Sequence, residues 1–345
     1  MSSPRVPADG AASARRDITR FATDFPFDAA DRTRLAAALG EGRLLTARNH
    51  QKLVELLGGH PEVDVLCVTF VQSDLPPLLP NLRWLALSSA GADHVINQPW
   101  VRGSDAPVIT TASGVHGAPI SEHVFSAMLL WSRHWPDLMR LQRERAWPDG
   151  SRERAKYAGR ELEGATLLVI GLGAIGRRIA QLGHAFGMRT LATRRSVAPG
   201  ATDPDVDIIA PIEGLDALLP QADYIVIATP STAETRGMIS AARLARMKPD
   251  AMLINIARGD IVEEPALIEA LTAGRLGAAA LDVTAREPLP ANDPLWSTPN
   301  LVLSPHISGL TQRYSRRLTD ILLDNIARYR EGQPMRNLVQ PARGY

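Results

Sequence analysis

VIGLGAIGRRIA, residues 169–180, is the stretch on which the reading of the chain turns. It closes an apolar run, ATLLVIG, and opens a helical pattern, and Gly171, Gly173 and Gly176 stand between them in the spacing G-x-G-x-x-G. The spacing alone is a weak signal because glycine is common. Its position between a strand and a helix gives it meaning. Gly171 makes the tight turn, Gly173 lets the backbone approach a pyrophosphate, and Gly176 lets the helix pack close to the strand. The helix N-terminus then offers free N–H groups and the positive end of its dipole to an anion.

About twenty residues beyond such glycines, the second strand ends beside the adenosine ribose. An acid there accepts the ribose hydroxyls of NAD and repels the 2′-phosphate of NADP. The chain instead reads RTLATRRS, with Arg194 and Arg195 at the strand end. Guanidinium groups pair with phosphate through two parallel charge-assisted bonds and stack on adenine. The expected cofactor is therefore NADP, with NADPH preferred and NAD possible, and Thr193 and Ser196 are expected to add hydroxyl contacts to the phosphate.

Outward from this unit the same alternation continues. YIVIATP, AMLINIARG, GAAALDVT and LVLSPH are further apolar runs with helical patterns between them, the signature of a doubly wound parallel sheet. A first module precedes it, with RFATDF, VDVLCVTF, LRWLALSS and VIT as strands and AADRTRLAAALG as a helix stopped by Gly40. A long helix is predicted from Pro119 to about Arg145, with Ile120, Val124, Met128 and Trp131 on one face. An amphipathic helix, residues 311–332, closes the chain. The organisation expected is a mobile tail over residues 1–16, a first domain formed by residues 17–116 with 311–345, and a dinucleotide-binding domain over residues 117–310.

The bulk numbers agree. The 345 residues exceed one ordinary core, and a net charge of +1 argues against nucleic acid or a membrane surface as partner. Only three of the 38 basic residues are lysine, which a GC-rich genome explains as well as any function. The single cysteine, Cys67, lies in an apolar run and reads as a buried thiol. It and eight scattered histidines give no metal-ligand spacing, so no metal is expected. The N-terminus lacks the apolar core of a secretory signal, and no run is long enough to span a membrane. A soluble cytoplasmic protein is expected.

Three charged residues sit at strand ends of the second sheet, where open α/β sheets bind ligands. Arg258 follows AMLINIA, Glu287 follows GAAALDV, and His306 ends LVLSPH. In this order, with the Gly171 fingerprint, ATPSTAETRGMI, INIARGDIV, the EPLP segment, the nineteen-residue step from Glu287 to His306 and SPHISG, the chain resembles the D-isomer-specific 2-hydroxyacid dehydrogenases from about Phe21 onward. Arginines after the second strand are similar to those of the family's NADPH-dependent glyoxylate and hydroxypyruvate reductases.

The resemblance implies two doubly wound parallel-sheet domains, a flavodoxin-like substrate domain and a Rossmann cofactor domain, with a cleft between them that closes on substrate. It implies His306 as acid–base, Glu287 as the carboxylate that orients its ring and raises its pKa, and Arg258 as the group that polarises the carbonyl. Ser89, Ala90, Gly91 and Ala92, in LSSAGADHV, look like the substrate-carboxylate loop. Ala228, Thr229 and Pro230 are implied on the adenosine side, Ile256 and Asp282 by the nicotinamide amide, and Ala174, Ile175 and Arg177 at the pyrophosphate. Ala174 stands where many relatives carry arginine. A homodimer is implied as well.

Among other residues, His116 reads as hinge packing, Trp296 as a core anchor, Phe70 as a candidate pocket wall, and His94 as a surface residue beside the carboxylate loop. The expected function is hydride transfer from NADPH to C2 of a small 2-oxo acid, giving the D-2-hydroxy acid. A second reading, from another class, is a dinucleotide-sensing binding module of the same fold that recruits protein partners. No recruitment motif is identifiable here, and Arg258, Glu287 and His306 do not separate the two. A third is an NAD-dependent relative acting on phosphoglycerate, formate or phosphite, against which Arg194 speaks.

Overall fold

A computed structural model describes residues 16–92, 94–101, 103, 106–198 and 200–339. The tail expected at the N-terminus lies outside them up to residue 15. The chain divides into two compact units, residues 1–115 with 312–345, and residues 116–311.

The first unit begins with β1 (Phe21–Thr23), α1 (Ala29–Leu39), β2 (Leu44–Thr46), α2 (His50–Gly58), β3 (Val65–Val68), β4 (Trp84–Leu87) and β5 (Val108–Thr110). The sheet runs β2-β1-β3-β4-β5, and every pairing is parallel. β3 and β4 are buried at all four positions, as strands covered on both faces must be, which is why they read as unbroken apolar runs. Trp84 anchors the core: its indole N–H donates to Thr110 Oγ1 at 2.9 Å and its ring meets Phe21 edge-on. Cys67 is fully buried, and burial pushes its thiol up to about 12. α1 stops at Gly40, whose φ of 105° requires glycine.

The second unit contains α3 (Gly117–Ser132), α4 (Trp135–Glu144), α5 (Ser151–Ala155), β6 (Thr166–Ile170), α6 (Ala174–Ala185), β7 (Arg189–Arg194), β8 (Ile208–Pro211), α7 (Leu215–Leu218), β9 (Tyr224–Ile227), α8 (Ala241–Leu244), β10 (Met252–Asn255), α9 (Glu264–Thr272), β11 (Ala278–Leu281) and β12 (Leu301–Leu303). The long helix expected from Pro119 to about Arg145 is two helices. Pro136 has no N–H to give and its ring clashes with the carbonyl of a preceding turn, so the chain breaks at His134, in the left-handed region with φ 54°. Ile120, Val124 and Met128 of α3 are buried, as the spacing predicts.

The seven strands run β12-β11-β10-β9-β6-β7-β8, all parallel. The order reverses between β6 and β9. A crevice opens at such a switch point, outside the carboxyl ends of the strands. The last helix, α10 (Tyr314–Arg330), belongs to the first unit, where it packs on α1 and stacks Tyr329 on Trp84. Among the described residues no helix is long and apolar enough to cross a membrane.

The register of α6 against β6 depends on one missing side chain. A Cβ at Gly176 would lie 2.1 Å from the Gly171 carbonyl oxygen and 3.0 Å from Val169 Cγ1. Backbone cannot yield as a side chain does, so Gly176→Ala is expected to cost about 3 kcal/mol, the upper end for overpacking. A fall in the urea midpoint measures it.

Candidate active site

The switch-point crevice is built by backbone. Gly171 has φ 104°, and a Cβ there would stand 2.8 Å from the carbonyl carbon of Ala228 and the nitrogen of Thr229. The fingerprint turn and the segment Ala228–Thr229–Pro230 are therefore in contact across the reversal. At Gly173 a Cβ would meet nothing within 4 Å, so this backbone faces open space. No side chain caps α6, whose first turn holds Ala174 and Ile175, and its N–H groups are left for an anion. These features fit a dinucleotide pyrophosphate.

At the end of β7, Arg194, Arg195 and Ser196 are exposed. Thr193 is not. It is fully buried, as β7 is throughout from Thr190 to Thr193, so its hydroxyl cannot reach a bound phosphate as expected. Its carbonyl instead accepts from Gly171 N at 3.1 Å and Leu172 N at 3.2 Å, which ties the fingerprint turn to β7. Arg177 also departs from expectation. Its guanidinium is held by Asp203 and Asp205 at 2.6–2.7 Å and its backbone N–H by the Gly173 carbonyl, which takes both away from a pyrophosphate.

Arg258, Glu287 and His306 follow three adjacent strands, β10, β11 and β12. His306 Nδ1 lies 2.8 Å from Glu287 Oε2, which fixes the ring and leaves Nε2 as the nitrogen that can face a substrate. The other Glu287 oxygen accepts from Thr284 N at 3.1 Å. His306 has φ 54°, in the left-handed region, and its N–H donates to the Asp282 carbonyl at 2.8 Å. Arg258 is exposed, and one of its N–H groups donates to the Ala257 carbonyl at 2.7 Å. Such an arrangement can protonate an oxygen and bind an anion beside it. Among the described residues no cluster of metal-ligating side chains occurs.

Three supports were not read from the sequence. Gly259 is the first: a Cβ there would fall 1.9 Å from the Thr284 carbonyl carbon, so only glycine lets the Arg258 turn lie on the turn leading to Glu287. The motif ARG carried that signal. The second is Asp282. It is nearly buried, and its carboxylate accepts from Ser304 Oγ at 2.6 Å, Ile307 N at 3.0 Å and Ser308 N at 3.1 Å. Expected by a nicotinamide amide, its oxygens are turned into the segment that carries His306. Ser304 also meets His123 Nε2 at 3.2 Å. The third is Tyr314, whose hydroxyl donates to the carbonyl of Ser88.

Ser89, Ala90, Gly91 and Ala92 follow β4 in the first unit, where Ser89 Oγ closes a turn onto the Gly91 carbonyl at 2.8 Å. Phe70 is exposed in that unit, edge-on to the half-buried His94 at 5.2 Å. His116 packs on Gly309, where a Cβ would come within 2.7 Å of its ring. Ile256 is buried beneath the β10 turn. Trp296 is a correction: it is 57% exposed, with its indole N–H on the Pro290 carbonyl, and the adjacent Leu295 fills the core instead.

The sequence pattern of the "D-isomer specific 2-hydroxyacid dehydrogenase, NAD binding domain" matches residues 125–308. A D-3-phosphoglycerate dehydrogenase of Archaeoglobus fulgidus is 32% identical over 300 residues, 87% of this chain and 55% of the relative. A glyoxylate/hydroxypyruvate reductase B of Pectobacterium atrosepticum is 33% identical over 276 residues, 79% of this chain and 83% of the relative. The chain thus spans about half the length of the phosphoglycerate dehydrogenases it matches. The crystal structure of a D-isomer specific 2-hydroxyacid dehydrogenase from Xanthobacter autotrophicus, in complex with NADPH and MES, superposes with a TM-score of 0.79 at 27% identity, over 95% of this chain and all of that one.

Asp282 yields a prediction in pH. Burial alone would raise its carboxyl, but the bonds from Ser304, Ser308 and Ile307 outweigh burial and hold it below the ordinary range. A lowered folded pKa means that its stabilisation is full above the unfolded value of about 4 and is lost as pH falls through the folded value. Asp282→Asn turns an N–H2 toward backbone donors and is expected to cost about 1–3 kcal/mol at neutral pH. Urea titrations from neutral to acid pH are expected to show the variant's deficit shrinking below pH about 4.

Proposed function

The chain belongs to the D-isomer specific 2-hydroxyacid dehydrogenase family, and we propose that it is a cytoplasmic NADPH-dependent reductase of a small 2-oxo acid of the glyoxylate or hydroxypyruvate type. The observation that carries the reaction class is the His306–Glu287 contact of 2.8 Å, beside the Arg258 strand end. The cofactor preference rests on Arg194 standing where an acid would repel the 2′-phosphate.

When bound, NADPH supplies the hydride that C2 of the oxo acid accepts. Arg258 bonds the C2 oxygen and one carboxylate oxygen, which aligns the substrate and draws charge off C2. Backbone N–H groups of Ser89, Ala90, Gly91 and Ala92 hold the carboxylate. His306 gives its Nε2 proton to the C2 oxygen as charge develops there, which completes the D-2-hydroxy acid. Glu287 supports the imidazolium through Nδ1 before the transfer, and solvent returns a proton to the neutral ring afterwards. The β12 turn and Asp282 keep this ring in place.

The phosphoglycerate dehydrogenases of comparable similarity favour a second reading, NAD-linked chemistry on a larger, phosphorylated hydroxy acid. Loss of nucleotide absorbance with NADPH or NADH, each against glyoxylate, hydroxypyruvate and phosphohydroxypyruvate, separates the two. NADPH with a small oxo acid is expected to be fastest, and NADH with the phosphorylated acid would reverse the proposal. His306→Gln is expected to lower kcat by about 10²–10⁴-fold with nucleotide binding unchanged.

A homodimer completes the proposal. α4 buries none of its residues and exposes Trp135, Leu138 and Met139 at helical spacing, with Trp147 beyond its end. An apolar stripe of this kind on a soluble chain is a contact surface, and the occupant proposed is a second copy. Sedimentation velocity is expected to give a dimer, and Leu138→Glu with Met139→Glu a folded monomer; a wild-type monomer at micromolar concentration would refute it.

A further inference from the structure

The connection from β7 to β8 runs down the side of α6, and the two are joined by a polar ladder. Arg177 makes two parallel bonds to Asp203, both 2.7 Å, and a third to Asp205 at 2.6 Å. Gln181 donates to the other Asp205 oxygen at 3.0 Å. His184 lies 3.5 Å from Asp207, which also accepts from Thr190 N at 2.7 Å. The helix therefore contributes positions i, i+4 and i+7, and the connection contributes j, j+2 and j+4. Residues 203–206 form a turn closed by Val206 N on the Asp203 carbonyl at 3.3 Å, and this turn presents Asp203 and Asp205 together to Arg177.

The top rung is the unusual one. Arg177 stands in the first turn of α6, where the helix dipole disfavours a cation. Two carboxylates oppose it, and the Asp203 side chain is only 9% exposed. Asp203 also feels the charge of Arg194 at the end of β7. A carboxylate thus sits within electrostatic reach of the arginine that the proposed cofactor needs. Unopposed, its charge would act against an incoming 2′-phosphate at Arg194. Both its oxygens are instead inside the Arg177 fork.

We propose that Arg177 is a cofactor-selecting residue: by holding Asp203 in its fork, it keeps that carboxylate off Arg194 and leaves Arg194 for the 2′-phosphate of NADPH. This deepens the NADPH reading above and rests on it. Arg177 acts through Asp203 and is a positioning residue, so the signature is a split between the two nucleotides rather than a general loss. NADH carries no 2′-phosphate for Arg194 to pair with.

The test titrates NADPH and NADH by nicotinamide fluorescence into the wild type, Arg177→Gln, Asp203→Asn and the double variant. Arg177→Gln is expected to weaken NADPH about tenfold or more while NADH binding stays the same. Adding Asp203→Asn removes the released charge and restores most of the NADPH affinity, a coupling that a merely structural ladder does not produce. Asp203→Asn alone raises the preference for NADPH over NADH. Equal weakening of both nucleotides in Arg177→Gln, or no rescue in the double variant, overturns the inference. Should Arg177→Gln fail to fold, Asp203→Asn decides, and an unchanged or lower NADPH preference overturns it. A wild type that binds NADH as tightly as NADPH overturns the cofactor reading itself, and the role of Arg177 with it.

Discussion

The second unit is organised by a place where a side chain cannot exist. At Gly176 the first turn of α6 lies so close to the Gly171 carbonyl that only a hydrogen fits. That approach sets the angle at which the helix leaves β6 and aims its N-terminus along the crevice at the sheet reversal. It also brings Ala228 and Thr229 onto Gly171 from the neighbouring strand end. The crevice is thereby lined with backbone, which cannot be displaced by rotamer change, and anion-binding N–H groups come already oriented.

The turns after β10, β11 and β12, which carry Arg258, Glu287 and His306, are held to one another as well as to their own strands. Gly259 lets the Arg258 turn touch Thr284, and Glu264 reaches from α9 to Ala285 N at 2.6 Å. Asp282 gathers the segment after β12 with its carboxylate and its carbonyl together. These bonds offset the left-handed backbone at His306, a conformation that a histidine does not adopt without external support. The position of His306 is thus set largely by residues outside the proposed catalytic set.

Much of this was legible in the sequence because it is periodic or local. Apolar runs of four or five residues gave the parallel strands, since a strand covered on both faces has no polar alternation. The fingerprint glycines and the strand-end positions of Arg258, Glu287 and His306 follow from spacing. What escaped depends on orientation. Thr193 and Arg194 are neighbours in sequence and face opposite ways, and the run TRRS does not say which hydroxyl turns inward. Leu295 and Trp296 exchange places for the same reason, because a short 3₁₀ turn decides which one enters the core. Arg177 looked available for an anion until its two acid partners, 26 and 28 residues away, were brought beside it. The break before Pro136 was within reach of the sequence, and the apolar spacing that continues through it masked it.

The polar ladder between α6 and the β7–β8 connection bears on how this chain can change over evolutionary time. The described residues between Arg195 and Asp203 make no rung, so insertions and deletions there leave the helix contacts intact. From Asp203 to Asp207 the turn closed by Val206 sets where the three carboxylates stand, and losing one residue there moves the later ones off their partners on the helix. Length variation among descendants of this chain should therefore gather in the upper half of the connection. A graft that exchanges the end of β7, with Arg194 and Arg195, has its natural seam just before Asp203.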